Sequence, residues 1–372
     1  MLDAVAKSIA GYNPSLVDIW GRLANLHCLE GGGERTVWLS SLVNRSDFQE
    51  ASQPYPIITA LNVDPRRNIS GCNYGDLSST QYEFHPFEFG TWDLGTRSFS
   101  QTAFMGSQST ASFAPSSATC INGFDSLGFV MGASSNPFNL FCGVVPNSSP
   151  FSGHLGDLWN DMIDMLGAVH GVSFLDEYAV CPGPFAATTH VDSLYLIDGS
   201  QGGEEIPIWP LLPVERGVGV IVAADFSTST PDQLPDGSSL YKTFQRAQQM
   251  GFSRMPMIPT PAEIDKLALN KQPTFFGCRS DASQALIIYI PNVPHILGSN
   301  VPWWTIQLSS ELVTSILENG NLVATMKGDT QWPICIGCAV LSKASGDIAL
   351  PKACEACWDR FCWKGTASGP AH

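Results

Sequence analysis

Short apolar runs alternate along this chain with stretches whose apolar residues recur every three or four positions. Tyr55–Val63, Leu194–Ile197, Val218–Ala224 and Ala285–Ile290 are apolar at both odd and even positions, the pattern of strands covered on both faces. Leu155–Val169 places Leu158, Met162 and Leu166 on one helical face. Thr260-Pro-Ala-Glu263 reads as a capping box with proline at the first helical position, leading into Ile264, Leu267 and Ala268. Ser238 or Ser239 is placed to cap a helix through Leu240, Phe244 and Ala247 that Gly251 stops. Met1–Ala10 reads as a further amphipathic helix. Strands alternating with helices predict an α/β fold. Residues 64–125 and 140–153, rich in Ser, Gly and Pro, predict long surface excursions, and no internal repeat is visible.

Composition narrows the classes of partner. The 372 residues carry a net charge of −15, with 14% charged and 44% hydrophobic residues. Such a chain is built to bury a core and not to stay disordered. The acidic balance argues against a nucleic-acid partner, which requires a Lys/Arg footprint, and the densest basic spot is only Arg66-Arg67. The longest apolar runs fall far short of the roughly 20 residues a bilayer-spanning helix needs. The first residues lack a basic region followed by an apolar stretch, so no signal peptide is expected in this sequence. Three sequons occur, at Asn44, Asn68 and Asn147, which make these the candidate glycosylation sites.

Eleven cysteines include a dense C-terminal group: Cys335-x2-Cys338, fifteen residues, Cys354-x2-Cys357, then Cys362. The spacing of the first four fits a four-thiolate zinc site. The fifth cysteine and the neighbouring Trp332, Trp358 and Trp363 fit a packed, oxidised cap instead. An odd total leaves one thiol free or paired outside the chain.

Candidate chemistry is sparse. Two aspartates follow apolar runs, where α/β sheets carry reactive groups: Asp198, before Gly199, and Asp225, before Phe226-Ser-Thr. A carboxylate at such a turn can act as a general base toward a hydroxyl, or simply bond nearby backbone N–H groups. The nucleophile pattern Gly-x-Ser-x-Gly occurs nowhere in the 372 residues; Gly132-Ala-Ser134-Ser-Asn136 lacks its second glycine. Neither a phosphate-cradling loop nor a dinucleotide fingerprint is present. The seven histidines include no His-x-x-x-His pair. The residues therefore offer a base without a nucleophile.

Several stretches resemble one family, the fungal secreted lysophospholipases (phospholipase B), whose catalytic domain is related to the cytosolic phospholipases and more distantly to the patatins. They are Asp18-Ile-Trp-Gly-Arg-Leu, Tyr82-Glu-Phe-His-Pro-Phe-Glu-Phe-Gly-Thr-Trp-Asp93, and Cys120-Ile-Asn-Gly-Phe-Asp-Ser-Leu-Gly-Phe-Val-Met-Gly-Ala-Ser-Ser135. Leu196-Ile-Asp-Gly with Ile206-Pro-Ile-Trp-Pro-Leu-Leu follows, then Pro213–Asp225, Pro273-Thr-Phe-Phe-Gly-Cys278, Ile288-Tyr-Ile-Pro-Asn292 and Cys362-Trp-Lys-Gly-Thr366. They occur in family order over nearly the whole chain.

The resemblance implies a three-layer α/β catalytic domain of the patatin or cytosolic-phospholipase type, incomplete at its N-terminus. Residues 1–334 would form the partial catalytic domain and 335–366 a cysteine-rich cap of the same domain. Its disulfide cysteines would include Cys120, Cys278, Cys335, Cys338, Cys354, Cys357 and Cys362. The implied chemistry hydrolyses fatty-acyl esters of lysophospholipids or phospholipids with a serine nucleophile, an aspartate base and no cofactor. The implied partners are that lipid and, transiently, a membrane or micelle surface. Asp198 aligns with the base, and Ser200 stands where the family has a second glycine. The serine turn, oxyanion loop and lipid-phosphate arginine precede the Asp-x-Trp-Gly-Arg element in the family. That element starts here at Asp18, so a missing N-terminal segment is expected as the partner that holds them. The resemblance further implies a secreted or cell-surface protein. The alternative is a catalytically inactive fragment or pseudoenzyme that binds lipid or another protein.

Overall fold

A computed structural model describes residues 9, 15–28, 37–63, 75–105, 122–136, 176–179, 193–227, 230–278, 283–299, 308–344 and 350–365. The Leu155–Val169 helix, the 140–153 excursion, Asn68, Asn147, Cys120 and most of Met1–Ala10 lie outside them. The chain forms two compact units, Met1–Gly202 and Gly203–His372.

The first unit is organised by a six-stranded sheet in the order β4-β3-β2-β1-β6-β5. The strands are β1 (Ile58–Asn62), β2 (Thr80–Phe84), β3 (Glu88–Thr91), β4 (Ser98–Gln101), β5 (Asp176–Ala179) and β6 (Ser193–Asp198). All five pairings are antiparallel. Alternate residues point to opposite faces, and Ala60, Tyr82, Phe84, Phe89, Leu194 and Leu196 share one buried core with Val17, Val130 and Ala133. Leu61, Val63 and Ile197 form a smaller cluster from the opposite parity.

Three of these strands correct the sequence reading, because β2, β3 and β4 lie within the segment 64–125 expected as surface excursion. Serine and glycine content masked a two-residue alternation in Gln81-Tyr-Glu-Phe84, whose apolar members enter the core. The polar members are also buried: Trp92 Nε1 donates to Glu83 Oε2 at 3.1 Å, and the Gln81 backbone N–H donates to Asp93 Oδ2 at 3.3 Å.

Two helices cover the core face, α1 (Leu16–Cys28) and, after the short α2 (Ser46–Gln49), α3 (Leu127–Ser134). Their crossing depends on glycine. A Cβ on Gly21 would stand 2.6 Å from the Gly128 carbonyl oxygen, one on Gly128 2.7 Å from the Gly21 carbonyl oxygen, and one on Gly132 2.7 Å from the Gly21 Cα. Trp20 Nε1 fixes the pair by donating to Ser135 Oγ at 2.9 Å. Packing thus accounts for two of the stretches that carry the family resemblance.

The second unit holds a three-stranded sheet, β7 (Val220–Asp225), β9 (Leu286–Pro291) and β8 (Thr274–Phe276), with β7 parallel and β8 antiparallel to the central β9. Ile287 and Tyr289 face a core with Leu240 and Ala247 of α4 (Ser238–Met250). Leu286 and Ile288 face an opposite core built on α7 (Trp332–Ala344) and α8 (Ala353–Phe361). Helices on both faces of β9 make this unit three-layered, as the apolar runs predict. Between these elements lie α5 (Pro261–Lys266) and α6 (Ser310–Ala324). The capping box forms as expected: Thr260 Oγ1 accepts from the Glu263 amide, and Glu263 Oε2 accepts from the Thr260 amide at 3.0 Å. Gly251 ends α4 with φ +69°. Neither serine caps that helix, however. Gly237 occupies the cap position, and Ser239 Oγ instead accepts the Ile206 amide at 2.7 Å.

The cysteine-rich segment packs within this unit as disulfides. Cys335 pairs with Cys357 and Cys338 with Cys354, with Cα separations of 5.2 and 5.5 Å. Each Cys-x-x-Cys puts its two sulfurs one turn apart on the same helical face, so the bridges form two rungs between α7 and α8. Cys278–Cys362 ties the end of α8 to the segment after β8. These six sulfurs are bonded to one another, which replaces the zinc reading of the spacing.

Candidate active site

Asp198 is the last residue of β6, opposite Ala60 of β1, and Ala60 is in turn opposite Tyr82 of β2. The register therefore sets the carboxylate on the core-facing side of an antiparallel sheet, two strands from a buried phenol. The chain then turns tightly through Gly199–Gly202. A Cβ at Gly199 would come within 3.2 Å of both the carbonyl oxygen and Oγ1 of Thr59, so the residue after the aspartate packs closely against β1. Gln201 anchors the turn by donating from Nε2 to the Asn136 carbonyl at 3.1 Å.

Ser200 holds the carboxylate. Its backbone N–H donates to Asp198 Oδ1 at 2.8 Å. Burial pushes the Asp198 carboxyl above its ordinary range, and hydrogen bonding from Ser200 pulls the other way. A partly desolvated carboxylate beside a turn is chemically suited to accept a proton from a hydroxyl.

Asp225 has a different environment. It ends β7 and is fully buried. Its Oδ1 accepts from the Ser227 amide at 3.0 Å and the Ser227 hydroxyl at 2.6 Å, while Oδ2 accepts from the Tyr289 hydroxyl at 2.9 Å. Its carbonyl also receives the Asn292 amide at 2.8 Å. Burial raises its pKa and these donors oppose the rise. Both oxygens are engaged in holding the ends of β7 and β9, the turn-bonding role that the sequence leaves open for it.

Two buried polar groupings escaped the sequence reading. Arg246 Nε donates to Glu204 Oε2 at 2.6 Å with neither side chain exposed. His85 Nδ1 lies 2.6 Å from the Tyr55 hydroxyl and accepts the Glu88 amide at 3.2 Å, with Nε2 3.8 Å from Glu83. The partners stand 42 positions apart for Glu204 and Arg246 and 30 for Tyr55 and His85, so local pattern gave no signal of either pairing. Among the described residues no group of three His, Cys, Asp or Glu side chains could hold a metal ion, and no helix is long and apolar enough to cross a membrane.

The fold is shared with human GIVD cytosolic phospholipase A2, at a TM-score of 0.55 and 15% identity over 77% of this chain and 41% of that one. A family model described as the lysophospholipase catalytic domain matches residues 1–368. The chain belongs to that family. Similar proteins include the lysophospholipase of Arthroderma benhamiae, 36% identical over 97% of this chain and 58% of the relative. Lysophospholipase 2 of Aspergillus fumigatus is 34% identical over 98% and 64%. The probable lysophospholipase 5 of Schizosaccharomyces pombe is 33% identical over 97% and 61%. The chain spans about three-fifths of the length of these curated relatives.

Proposed function

We propose that this chain contributes the general base of a lysophospholipase that hydrolyses fatty-acyl esters of lysophospholipids or phospholipids. Asp198 would take the proton of a serine as it attacks the ester carbonyl. The observation that carries this reading is the Asp198 carboxyl at the end of β6, raised by burial and held in place by Ser200. The relatives' names and the family support the substrate class. No Gly-x-Ser-x-Gly turn occurs in the 372 residues, so the serine is proposed to come from polypeptide outside this sequence. The reading carries with it a secreted protein with a glycan at Asn44, an exposed residue at the end of the 3-10 turn Leu39–Asn44. Loss of a glycosidase-sensitive mass in Asn44→Gln, made in a secreting fungal host, tests that part.

The catalytic part is tested by fusing residues 1–372 to the remaining N-terminal portion of the Arthroderma benhamiae relative. Lysophosphatidylcholine hydrolysis should appear in the fusion and disappear in its Asp198→Asn variant. A folded fusion whose activity is indifferent to Asp198→Asn would overturn the assignment. The lack of the serine motif also favours a second reading, a lipid-binding module without hydrolysis. It expects the chain alone to bind lysolipid and leave the ester intact.

A further inference from the structure

The sequence stretch Tyr82–Asp93 contains a feature that the proposed chemistry does not use. At the turn between β2 and β3, Phe87 is 54% exposed, and Tyr55, from the loop preceding β1, is 45% exposed. Their rings stack at 6.4 Å and 15°. Phe48 of α2 closes a triangle, 5.8 Å from Tyr55 and 5.9 Å from Phe87. Three aromatic rings thus share one surface within the first unit.

The cluster is held rigidly. Tyr55 lies between Pro54 and Pro56, which restrict its backbone. Its hydroxyl is anchored to His85 Nδ1 at 2.6 Å, and the same nitrogen receives the amide of Glu88, next to Phe87. A single buried histidine therefore sets both exposed rings, and little conformational freedom remains to be lost on binding. The charges beside the rings are acidic on balance. Arg45 is matched by Asp47 through bonds of 3.0 and 2.8 Å, leaving the exposed Glu50 and Glu88 as neighbours in sequence of Phe48 and Phe87.

We infer that Phe48, Tyr55 and Phe87 form a docking platform for a zwitterionic, choline-bearing phospholipid surface, an inference that rests on the lipid-ester reading above. Aromatic faces attract a quaternary ammonium through their quadrupole. Acidic neighbours add to that attraction and oppose an anionic surface, as does the net charge of −15. The apolar bodies of the rings suit the headgroup boundary, where amphipathic aromatics concentrate.

The test is flotation of residues 1–372 with phosphatidylcholine vesicles and, separately, phosphatidylglycerol vesicles. The parent chain should partition to phosphatidylcholine in preference to phosphatidylglycerol. Phe87→Ala should lower that partition about fivefold or more, Phe87→Glu further, and Phe87→Trp should retain it. Phe87 lies at an exposed turn, and unchanged circular dichroism verifies the fold of each variant. Equal partition of parent and Phe87→Glu overturns the proposal. So does preference for phosphatidylglycerol, absence of partition, or retention by a polysaccharide matrix in place of vesicles. Flotation needs no hydrolysis, so intact partition beside an inactive fusion would remove only the catalytic reading. An active fusion whose parent chain ignores vesicles would remove only the platform.

Discussion

Ser200 donates its backbone N–H to Asp198 Oδ1 at 2.8 Å, so the turn that follows β6 is bonded to the proposed base. Burial raises the Asp198 carboxyl all the same. In the folded chain the proton is then held more tightly than in the unfolded one. That contribution to stability is complete below the unfolded pKa, 3.8, and is lost as pH rises toward the raised folded value. Asp198→Asn, which cannot ionise, should melt above the parent at neutral pH. The gap should shrink to nothing below about pH 3.8. Thermal melts across this range check the sign; a parent that is the more stable at pH 7 would contradict it.

Removing the Ser200 hydroxyl isolates its share. Ser200→Gly deletes the hydroxyl while keeping the backbone bond. Because the Ser200 side chain lowers the Asp198 pKa, the variant should titrate at a higher pH than the parent. Carboxyl carbon shifts followed by NMR read this directly, and an unmoved midpoint would mean that the hydroxyl does not bond to the carboxylate in solution.

Signals confined to a few neighbouring residues were legible in the sequence. Thr260 and Glu263 satisfy each other within one turn, and Gly251 needs only its own backbone angle to end α4. The apolar runs for β6 and β9 likewise state their own burial, whereas β7, also expected to be covered on both faces, is buried on one parity only and leaves Val222 exposed. Ser239 was misread because its acceptor serves Ile206, a residue 33 positions away in sequence. The same limit hid β2, β3 and β4, where Trp92 reaches the buried Glu83 and Asp93 reaches the Gln81 backbone N–H only once the chain has turned back. For the cysteines, spacing alone fits either zinc or disulfides. The choice depends on whether two helices come within disulfide distance. For the site, Asp198 is proposed from the resemblance of its Asp-Gly stretch to the family. The difference between it and Asp225 was not legible, because Tyr289 reaches Asp225 from a separate strand.

Disulfide ladders of this kind act mainly by restricting the unfolded chain. Cys335–Cys357 and Cys338–Cys354 span 22 and 16 residues, whereas Cys278–Cys362 spans 84. Loop entropy assigns about 3 kcal/mol to each of the short bridges and somewhat more to the long one. Cys278→Ala/Cys362→Ala should therefore lower stability at least as much as removing either rung, measured by urea denaturation. Mass spectrometry under denaturing conditions should show a gain of about 2 Da per bridge on reduction. Zinc thiolates in this segment would show no such gain.

The crossing of α1 on α3 gives a purely steric prediction. A methyl group at Gly21 or Gly128 would meet main-chain oxygen at 2.6 or 2.7 Å, and backbone cannot swing aside as a flexible side chain can. The usual benefit of Gly→Ala in a helix, near 1 kcal/mol, should be reversed. Gly21→Ala and Gly128→Ala should each destabilise by about 1–3 kcal/mol, the range for overpacking. Gly320, in α6 with open space around its Cα, is the internal control, and Gly320→Ala should stabilise.

The Glu204–Arg246 pair offers the sharpest energetic test, because neither side chain is exposed and their contact is 2.6 Å. Arg246 also lies with its guanidinium carbon 5.5 Å from the Trp209 ring centroid. Removing one charge leaves the other desolvated, so Arg246→Met and Glu204→Leu should each cost about 3–5 kcal/mol. Replacing both removes the stranded charge along with the attraction. The double variant should therefore lose much less than the sum of the single losses, and the coupling from a double-mutant cycle should be about 2–3 kcal/mol. Strict additivity would instead mean that each residue is held by other contacts, with Trp209 the first to examine for Arg246. Urea denaturation of the four proteins decides between these outcomes, provided the m-values agree, since a changed slope would mean that the unfolded reference had also moved.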